Sequence, residues 1–251
     1  MGLKKRRLRM TVAYDGTDYS GWQYQPTGQT IQGRIEEALS GILQARVKIT
    51  GAGRTDAGVH ALGQVAHFDT LSELPVKVIQ RALNAILPED IRVISMAEVN
   101  ESFHARYSAI WKLYRYLIAD GSLPEALFLR RTSWVRATDL DENTLTECAS
   151  LIEGEHDFFS FSKKEGSRQN RRCRVYSAGW TRSEGSFCFE IKADRYLRAM
   201  VRMLVGGMVA VAEGKADVEE FRLALEKPGR WLKAVPAPAC GLTLVEVGYP
   251  E

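Results

Sequence analysis

Residues 30–70 read TIQGRIEEALSGILQARVKITGAGRTDAGVHALGQVAHFDT, and they contain a predicted helix, two short strands and the loop between them. Thr30 is placed to cap the helix, because its hydroxyl oxygen can accept a hydrogen bond from a backbone N–H of the first turn. The helix is indicated by a 3.6-residue apolar period, formed by Ile31, Ile35, Ala38, Leu39, Ile42 and Leu43. Strands are predicted over residues 46–50 and 64–69, on either side of a glycine-rich loop.

Working outward from this stretch, the first half of the chain follows the order β-α-β-β-α-β. Residues 8–14 alternate as a strand before the first helix. A second helix is bracketed by Pro75 at its start and Pro88 just beyond its end, because proline is tolerated in the first turn of a helix but not in its interior. Residues 91–99 form the strand that completes this half.

The second half is predicted to repeat that order. It offers a strand at 111–119, a helix at 140–152, a hairpin of 173–181 with 186–193, helices at 197–212 and 217–225, and a last strand at 242–249. We therefore predict an α+β fold of two ferredoxin-like halves, residues 1–105 and 106–251. These halves are expected to form one extended, mainly antiparallel sheet with helices on one face, and a central cleft is the natural place for a site.

Composition excludes several classes of protein and leaves the partner open. The chain has 251 residues, of which 45% are hydrophobic and 26% charged, so it is neither disordered nor collagen-like. The net charge is only +3, but residues 163–202 carry eleven Lys or Arg and four Asp or Glu. Segregated positive charge is typical of a polyanion partner, although solvated surface arginines would give the same pattern.

Cysteine and hydropathy patterns favour a cytoplasmic protein without a metal. The four cysteines contain no C-x-x-C pair, and the four histidines lack the local spacing of a zinc site. No signal peptide follows the basic start of the chain. The most apolar stretch, residues 199–212, is too short to span a bilayer and contains Arg202.

The loop at residues 51–60 is the first candidate for chemistry. It is neither a dinucleotide fingerprint, which would need a glycine where Asp56 stands, nor a phosphate-binding P-loop. What remains is a carboxylate held among three glycines, with Arg54 two residues before it and His60 four residues after it. The alternative interpretation is that Asp56 only turns the loop, as aspartate commonly does.

A second candidate group lies in the other half, at the start of the predicted helix 197–212. Arg198 and Arg202 are spaced i and i+4 and would share one helix face. A guanidinium at the apolar part of a helix is costly unless it meets a carboxylate or a phosphate, and Asp56 is the attractive partner. The alternative is that both arginines face solvent.

Aromatic and basic residues supply candidate contacts to a nucleic acid. Tyr114 lies on the same strand face as Lys112 and Tyr116, where it could stack on a base or simply belong to the core. Two loops, residues 21–25 and 168–174, mix amides or aromatic rings with donors and suit phosphate and sugar contacts, or are plain polar loops. The second loop contains Arg171 and Arg172.

Residues 51–61, Gly-Ala-Gly-Arg-Thr-Asp-Ala-Gly-Val-His-Ala, resemble the signature of the TruA-type family of tRNA pseudouridine synthases. The resemblance covers essentially the whole chain in order, and the eleven-residue loop is its most specific part. Further matching segments are residues 14–17, 21–23, 103–106, 114–116, 156–158 and 200–202. Ala199 is a departure, since some relatives carry a histidine there.

The resemblance implies isomerisation of uridine to pseudouridine at positions 38, 39 and 40 of the tRNA anticodon arm, by a homodimer with no metal and no organic cofactor. Asp56 falls on the nucleophile, and Tyr114 on the tyrosine that packs against the target base and is a proposed base for C5. Arg54 falls on the arginine that helps to hold the flipped-out nucleotide. Arg202 falls on the basic residue that pairs with the nucleophile.

Two other functions remain open on the sequence alone. One is a non-catalytic RNA-binding module, because ferredoxin-like sheets commonly stack bases, although a binding surface does not need an aspartate on a glycine loop. The other is a glycosidase with two carboxylates flanking a sugar bond, for which Asp15 is the only other loop acid beside glycine.

Overall fold

A computed structural model describes residues 4–136, 140–163, 171–227, 229 and 231–250 of the chain. Its strands and α-helices, in chain order, are β1 (Arg6–Tyr14), α1 (Ile31–Leu43), β2 (Thr50–Gly51), β3 (His60–Thr70), α2 (Val76–Ile86), β4 (Ile91–Val99), β5 (Trp111–Asp120), α3 (Ala126–Leu129), β6 (Trp134–Arg136), α4 (Glu142–Ser150), β7 (Gly154–Asp157), β8 (Arg172–Ser183), β9 (Ser186–Ala193), α5 (Met200–Ala212), α6 (Val218–Glu226) and β10 (Leu242–Gly248). Two compact units divide them: unit 1 is Met1–Ile110 with Leu244–Glu251, and unit 2 is Trp111–Thr243.

In unit 1, β1 lies between two other strands of the sheet. β1 pairs antiparallel with both β3 and β4, so that Met10 lies opposite Ala66 on one side and Met96 on the other. β2 pairs with the opposite edge of β3, where Gly51 faces Ala66. Unit 1 therefore has the strand order β4-β1-β3-β2 and the β-α-β-β-α-β sequence of elements, while its assignment as a ferredoxin-like half stays a prediction.

The helices of unit 1 form where the apolar period predicts them. The Thr30 hydroxyl accepts a hydrogen bond from the Gly33 N–H at 3.2 Å, which caps α1. The helix ends at Gln44, whose φ of 49° is left-handed. α2 begins directly after Pro75 and buries Ile79 and Leu83 against the core.

The strand predicted over residues 46–50 is wrong except at its last residue. Only Thr50 and Gly51 pair with β3, because side chains of α1 take the backbone groups that a longer strand would offer to a neighbour. The Val47 N–H donates to Ser40 Oγ at 3.1 Å, and the Ile49 N–H donates to Glu36 Oε1 at 2.9 Å.

Unit 2 is also mainly antiparallel. β5 pairs with β9, β9 with β8, and β8 with the short β7, while β6 pairs parallel to β5. The predicted hairpin is confirmed, with Ser183 opposite Ser186. Four short elements are not predicted from the sequence, because each has four residues or fewer and shows no period: α3, β6, β7 and a 3-10 turn at Phe158–Phe161. The α+β class and the mainly antiparallel pairing are confirmed.

The helix predicted from residue 197 begins three residues later, at Met200. Ala199 has a left-handed φ of 59° and separates Arg198 from the helix. The Arg198 carbonyl accepts a hydrogen bond from the Lys163 N–H at 3.1 Å and so takes no part in the helical pattern. The prediction that Arg198 and Arg202 share a helix face by i, i+4 spacing is therefore wrong.

The last strand, β10, lies next to β3 in the sheet order. The sequence pattern places this strand in the second half, whereas residues 244–251 group with unit 1. The two backbones approach closely at Gly63, where a Cβ atom would lie 2.3 Å from the Val245 carbonyl oxygen. The unit boundary at residue 110 lies near the predicted one at 105. Among the described residues, no helix is long and apolar enough to cross a membrane.

His67 anchors the segment that follows β4. Its Nδ1 accepts a hydrogen bond from the Ala105 N–H at 3.1 Å, and the Tyr249 hydroxyl donates to the Ala105 carbonyl at 2.6 Å. Burial lowers the pKa of His67 to about 4, and the nearby Arg7 and His104 act in the same direction. His67 is therefore neutral near pH 7 and acts as an acceptor.

We expect His67→Gln to flatten the dependence of stability on pH between about 6.5 and 4. In this window the unfolded chain protonates His67 at its ordinary pKa of 6.5 while the folded protein does not, so wild-type stability falls as the pH falls. The effect amounts to at most about 3 kcal/mol. Urea unfolding at a series of pH values measures it.

His156→Gln is the matched control, because it also removes an imidazole, one that is half-buried on β7 and takes no part in the contact between His67 and Ala105. Its variant is expected to keep the wild-type pH dependence. An unchanged dependence in His67→Gln would contradict the role of His67.

Candidate active site

The Asp56 loop connects β2 to β3, and a second segment of unit 1 holds its backbone. The Trp22 N–H donates to the Thr55 carbonyl at 3.1 Å, and the Gly16 N–H donates to His60 Nδ1 at 3.1 Å. Within the loop, the Val59 N–H donates to the Asp56 carbonyl at 3.2 Å and closes a turn. The backbone on both sides of Asp56 is thus fixed before any ligand binds.

The side chain of Thr55 anchors the Asp56 loop to the core of unit 1. Its hydroxyl oxygen lies 2.8 Å from the Tyr14 hydroxyl, and both side chains are buried. Burial raises the pKa of Tyr14 to about 12, so the phenol is neutral and available for this hydrogen bond. Asp56 itself is half-buried and Arg54 is exposed. The anchoring side chain therefore points into the core while its two neighbours remain accessible.

Two glycines allow residues 16–22 to pack directly against the Asp56 loop. Gly21 has a φ of +93°, and a Cβ atom there would lie 2.6 Å from the Thr55 carbonyl oxygen. A Cβ on Gly16 would lie 2.0 Å from the Val59 carbonyl oxygen. These approaches are closer than any larger residue permits, so both glycines set the position of the Asp56 loop.

Trp22 has a structural role that the sequence analysis missed. We had interpreted residues 21–25 as an RNA-contacting or polar loop, but Trp22 is only 2% exposed. Its indole ring covers Gly51, where a Cβ atom would lie 2.6 Å from the indole Nε1. Residues 21–23 and residues 51–61, which both carry the family resemblance, are therefore packed together. A close glycine contact of this kind leaves no periodic signal in the sequence.

His60 and Asp15 shape the end of the loop. His60 Nδ1 lies 3.1 Å from the backbone nitrogen of Gly16, which donates to it, and 3.2 Å from Asp15 Oδ1. The same Asp15 oxygen accepts a hydrogen bond from the Thr17 N–H at 2.9 Å. Asp15 thus stabilises a local turn, which does not favour its use as the second carboxylate of a glycosidase.

In unit 2, the structure separates the two tyrosines of β5. Tyr116 is fully buried and its hydroxyl donates to the Pro238 carbonyl at 2.8 Å, so it belongs to the core. Tyr114 is 7% exposed, and its ring meets that of Tyr196 edge-on at 4.9 Å. The Tyr196 hydroxyl donates to the Ile191 carbonyl at 2.7 Å. The orientation of the Tyr114 ring is therefore fixed by a neighbour that is itself anchored.

Arg202 lies in the first turn of α5 and is half-buried. Its Nε donates to the Ala237 carbonyl at 2.7 Å, and the Ala237 N–H donates back to the Arg202 carbonyl at 2.9 Å. This two-way link orients the guanidinium. Arg198 is exposed and precedes the helix.

Arg171 and Arg172 are placed differently although they are adjacent. The Arg171 guanidinium lies over the Phe159 ring, 4.2 Å from its centroid. Arg172 Nε lies 2.6 Å from Glu155 Oε1 in an exposed ion pair. Residues 168–170 of the predicted contact loop lie outside the described residues. Within the described part of the chain, no group of three or more His, Cys, Asp or Glu is placed to hold a metal ion.

Comparison with known proteins gives a consistent family match. A family model described as tRNA pseudouridine synthase matches residues 10–108 and 148–250. The chain is 43% identical over 247 residues to tRNA pseudouridine synthase A of Chlorobium luteolum, covering 98% of this chain and 96% of that protein. It is 42% identical to the Chlorobaculum tepidum protein of the same name, covering 99% and 100%. The corresponding Bacteroides thetaiotaomicron protein is 40% identical, with 98% and 91% covered.

We expect Gly21→Ala to lower both stability and turnover. The added methyl group would press on the Thr55 carbonyl and would also occupy a left-handed backbone position, so the free energy of unfolding should fall by roughly 1–3 kcal/mol. Because the strain acts next to Asp56, turnover should fall by at least about ten-fold in the protein that remains folded. Thermal unfolding and single-turnover kinetics measure the two effects.

Gly41→Ala is the matched control, because a Cβ on Gly41 meets nothing within 4 Å. Gly41 lies inside α1, where alanine is the better helix former, so stability should be equal or slightly higher. Equal behaviour of the two variants would contradict the tight contact at Gly21.

Proposed function

This chain belongs to the tRNA pseudouridine synthase A family and is an isomerase, and on that premise we propose that it converts uridine to pseudouridine at positions 38, 39 and 40 of the tRNA anticodon stem-loop. The observation that carries the proposal is the half-buried carboxylate of Asp56 on a loop whose backbone is fixed by Thr55 and Gly21. Such a loop presents one nucleophile in a defined position, as covalent catalysis requires.

The reaction breaks the bond between N1 of uracil and C1′ of the ribose, turns the base, and forms a bond between C5 and C1′. One proton leaves C5 and one is gained at N1, so the product is an isomer and no redox step is needed. A carboxylate can serve by attacking C1′ or by adding to C6 of the base. We assign this role to Asp56.

Arg202 is proposed to pair with Asp56, because a guanidinium beside a carboxylate stabilises its negative charge. The support is the oriented guanidinium, which Ala237 fixes through Nε. The pairing itself stays a prediction, as does the cleft between the two halves in which it would lie.

Tyr114 and Arg54 are proposed to handle the target nucleotide. A uridine in a stem must leave the base stack before it can react, at a cost of roughly a few kcal/mol. Arg54 is exposed and two residues from Asp56, where it would hold the extruded nucleotide. Tyr114, with its ring fixed by Tyr196, would pack against the base and take the C5 proton.

The remaining basic residues are proposed to bind the tRNA backbone. Arg171 keeps its charge at the surface while stacked on Phe159, and Arg198 is exposed next to α5. Arg172 joins them, although its exposed pair with Glu155 neutralises part of its charge. A cytoplasmic homodimer in which one tRNA contacts both subunits completes the proposal, with no metal and no organic cofactor.

We expect Asp56→Asn to abolish isomerisation while tRNA affinity changes by no more than a few-fold. The amide keeps the shape of the side chain but is a poor nucleophile. Tritium release from tRNA labelled at C5 of uridine measures turnover, and carbodiimide-blocked primer extension maps the product. Stops confined to positions 38, 39 and 40 in the wild-type reaction are expected.

Asp15→Asn serves as the comparison carboxylate, and it should retain C5 tritium release after correction for folded fraction. Full activity of Asp56→Asn would show that another residue carries the chemistry. Absence of tritium release from a folded wild-type protein that still binds tRNA would support a non-catalytic binding module. Release of free uracil would indicate a glycosidase instead.

We expect Arg171→Gln/Arg172→Gln to weaken tRNA binding and to reduce the slope of log Kd against log salt by about one to two units. Each lost phosphate contact removes nearly one released counterion from that slope. Fluorescence anisotropy between 50 and 200 mM salt, as rough limits, measures it.

Lys215→Gln/Arg222→Gln is the matched control, because it also removes two surface charges, both engaged in ion pairs in unit 2. Its salt slope should equal that of the wild type. Equal slopes for both double variants would return Arg171 and Arg172 to ordinary surface residues.

A further inference from the structure

Residues 103–107, Phe-His-Ala-Arg-Tyr, follow β4 and have no part in the proposed chemistry. The last of them, Tyr107, is 78% exposed, whereas Tyr114 is 7% exposed. A single exposed aromatic ring is ordinary on a protein surface. The arrangement around Tyr107 is what distinguishes it.

The Tyr107 ring is stacked on a fixed imidazole. The His104 and Tyr107 rings are 4.3 Å apart with an interplanar angle of 27°. His104 Nδ1 accepts hydrogen bonds from the backbone N–H groups of Arg106 and Tyr107, both at 3.1 Å. The imidazole therefore covers one face of the phenol ring and sets its plane, while most of the ring remains accessible.

The segment beneath the stack is anchored to unit 1 from several directions. The His104 ring packs 4.9 Å from His67, which accepts the Ala105 N–H. Arg7 donates to the Phe103 carbonyl at 2.9 Å. The Arg9 guanidinium lies 4.5 Å from the centroid of the Tyr249 ring, and the Tyr249 hydroxyl donates to the Ala105 carbonyl. A surface held in this way loses little conformational entropy when it binds a ligand.

A cation accompanies the exposed ring. Arg106 is exposed, and its guanidinium carbon lies 5.7 Å from the centroid of the Tyr107 ring. Proteins bind unpaired nucleotides by stacking the base on an aromatic ring and pairing the phosphate with a nearby cation such as a guanidinium. An acidic peptide would use the cation but not the oriented ring, so the arrangement favours RNA.

This surface lies away from the Asp56–His60 end of the loop within unit 1, although the loop begins at Gly51, which pairs with Ala66 beside His67. His60 follows the loop at the start of β3, and His67 lies seven residues further along the same strand. At about 3.3 Å per residue, the two ends of this stretch are about 23 Å apart. A single nucleotide held at the His60 end of this stretch does not reach its His67 end, so the surface would meet a different nucleotide.

We propose that Tyr107, stacked on His104 and accompanied by Arg106, is a second nucleotide-binding site, the Tyr107 platform, which stacks an unpaired base of the tRNA away from the reacting uridine. The proposal rests on the proposed function, since it takes tRNA as the bound RNA. The platform contributes to affinity and to the register of the RNA on the enzyme, not to the chemical step.

The test compares Tyr107→Leu with Tyr107→Phe. Loss of one stacked base should raise the Kd for tRNA and the KM by about five-fold or more, with kcat at saturating tRNA unchanged. Tyr107→Phe keeps the ring and should bind as the wild type does. Tyr176→Leu is the control, because Tyr176 is 48% exposed on β8 and stands outside the platform.

Filter binding measures the Kd for tRNA independently of pseudouridine formation, so the platform and the proposed function can fail separately. If Tyr107→Leu raises the Kd but the wild-type protein forms no pseudouridine, the Tyr107 platform is supported and the proposed function is contradicted. Normal pseudouridine formation with an unchanged Kd in Tyr107→Leu would overturn the platform alone. An equal loss of tRNA affinity in Tyr107→Leu and Tyr107→Phe would also overturn the platform. So would a change of oligomeric state in sedimentation, because it would indicate a protein contact at Tyr107.

Discussion

The close contact between residues 16–22 and the Asp56 loop is the constraint on which the candidate site depends. Two glycines bring carbonyl oxygens of the loop to distances that a methyl group would not allow. The Trp22 indole ring packs against Gly51, and the Tyr14 and Thr55 hydroxyls are hydrogen-bonded to each other. Because these contacts are made by backbone and buried groups, the position of Asp56 is a property of the core of unit 1 and not of the loop alone.

Sequence patterns predicted the regular parts of the fold and failed where a side chain replaced a regular partner. α1, α2 and β4 follow from a period and from prolines, and they agree with the structure within a residue or two. The strand at 46–50 failed because Glu36 and Ser40 bind its backbone. The early start assigned to α5 failed because hydropathy does not reveal that Ala199 adopts a left-handed conformation.

The sequence predicts the residues of the candidate site, but not the contacts that hold them in place. Asp56, Tyr114 and Arg202 are predicted from a resemblance to a family signature and from the cost of placing a charge in an apolar helix, and their roles stay predictions. The burial of Trp22, the acceptor role of His60 and the stacking of Arg171 on Phe159 depend on residues far apart in sequence. Single-sequence patterns carry no information on such contacts, because each is a matter of distance in the folded chain.

The place of β10 beside β3 has a consequence for biosynthesis. Unit 1 takes six of its strands and helices from the first hundred residues, but most of β10 is translated only after the whole of unit 2. A nascent chain on the ribosome therefore carries a β3 edge that is not yet fully paired, and such an edge recruits strands from other chains. Completion of unit 1 depends on β10, so a chain that terminates before β10 exposes a β3 edge that can pair with other chains.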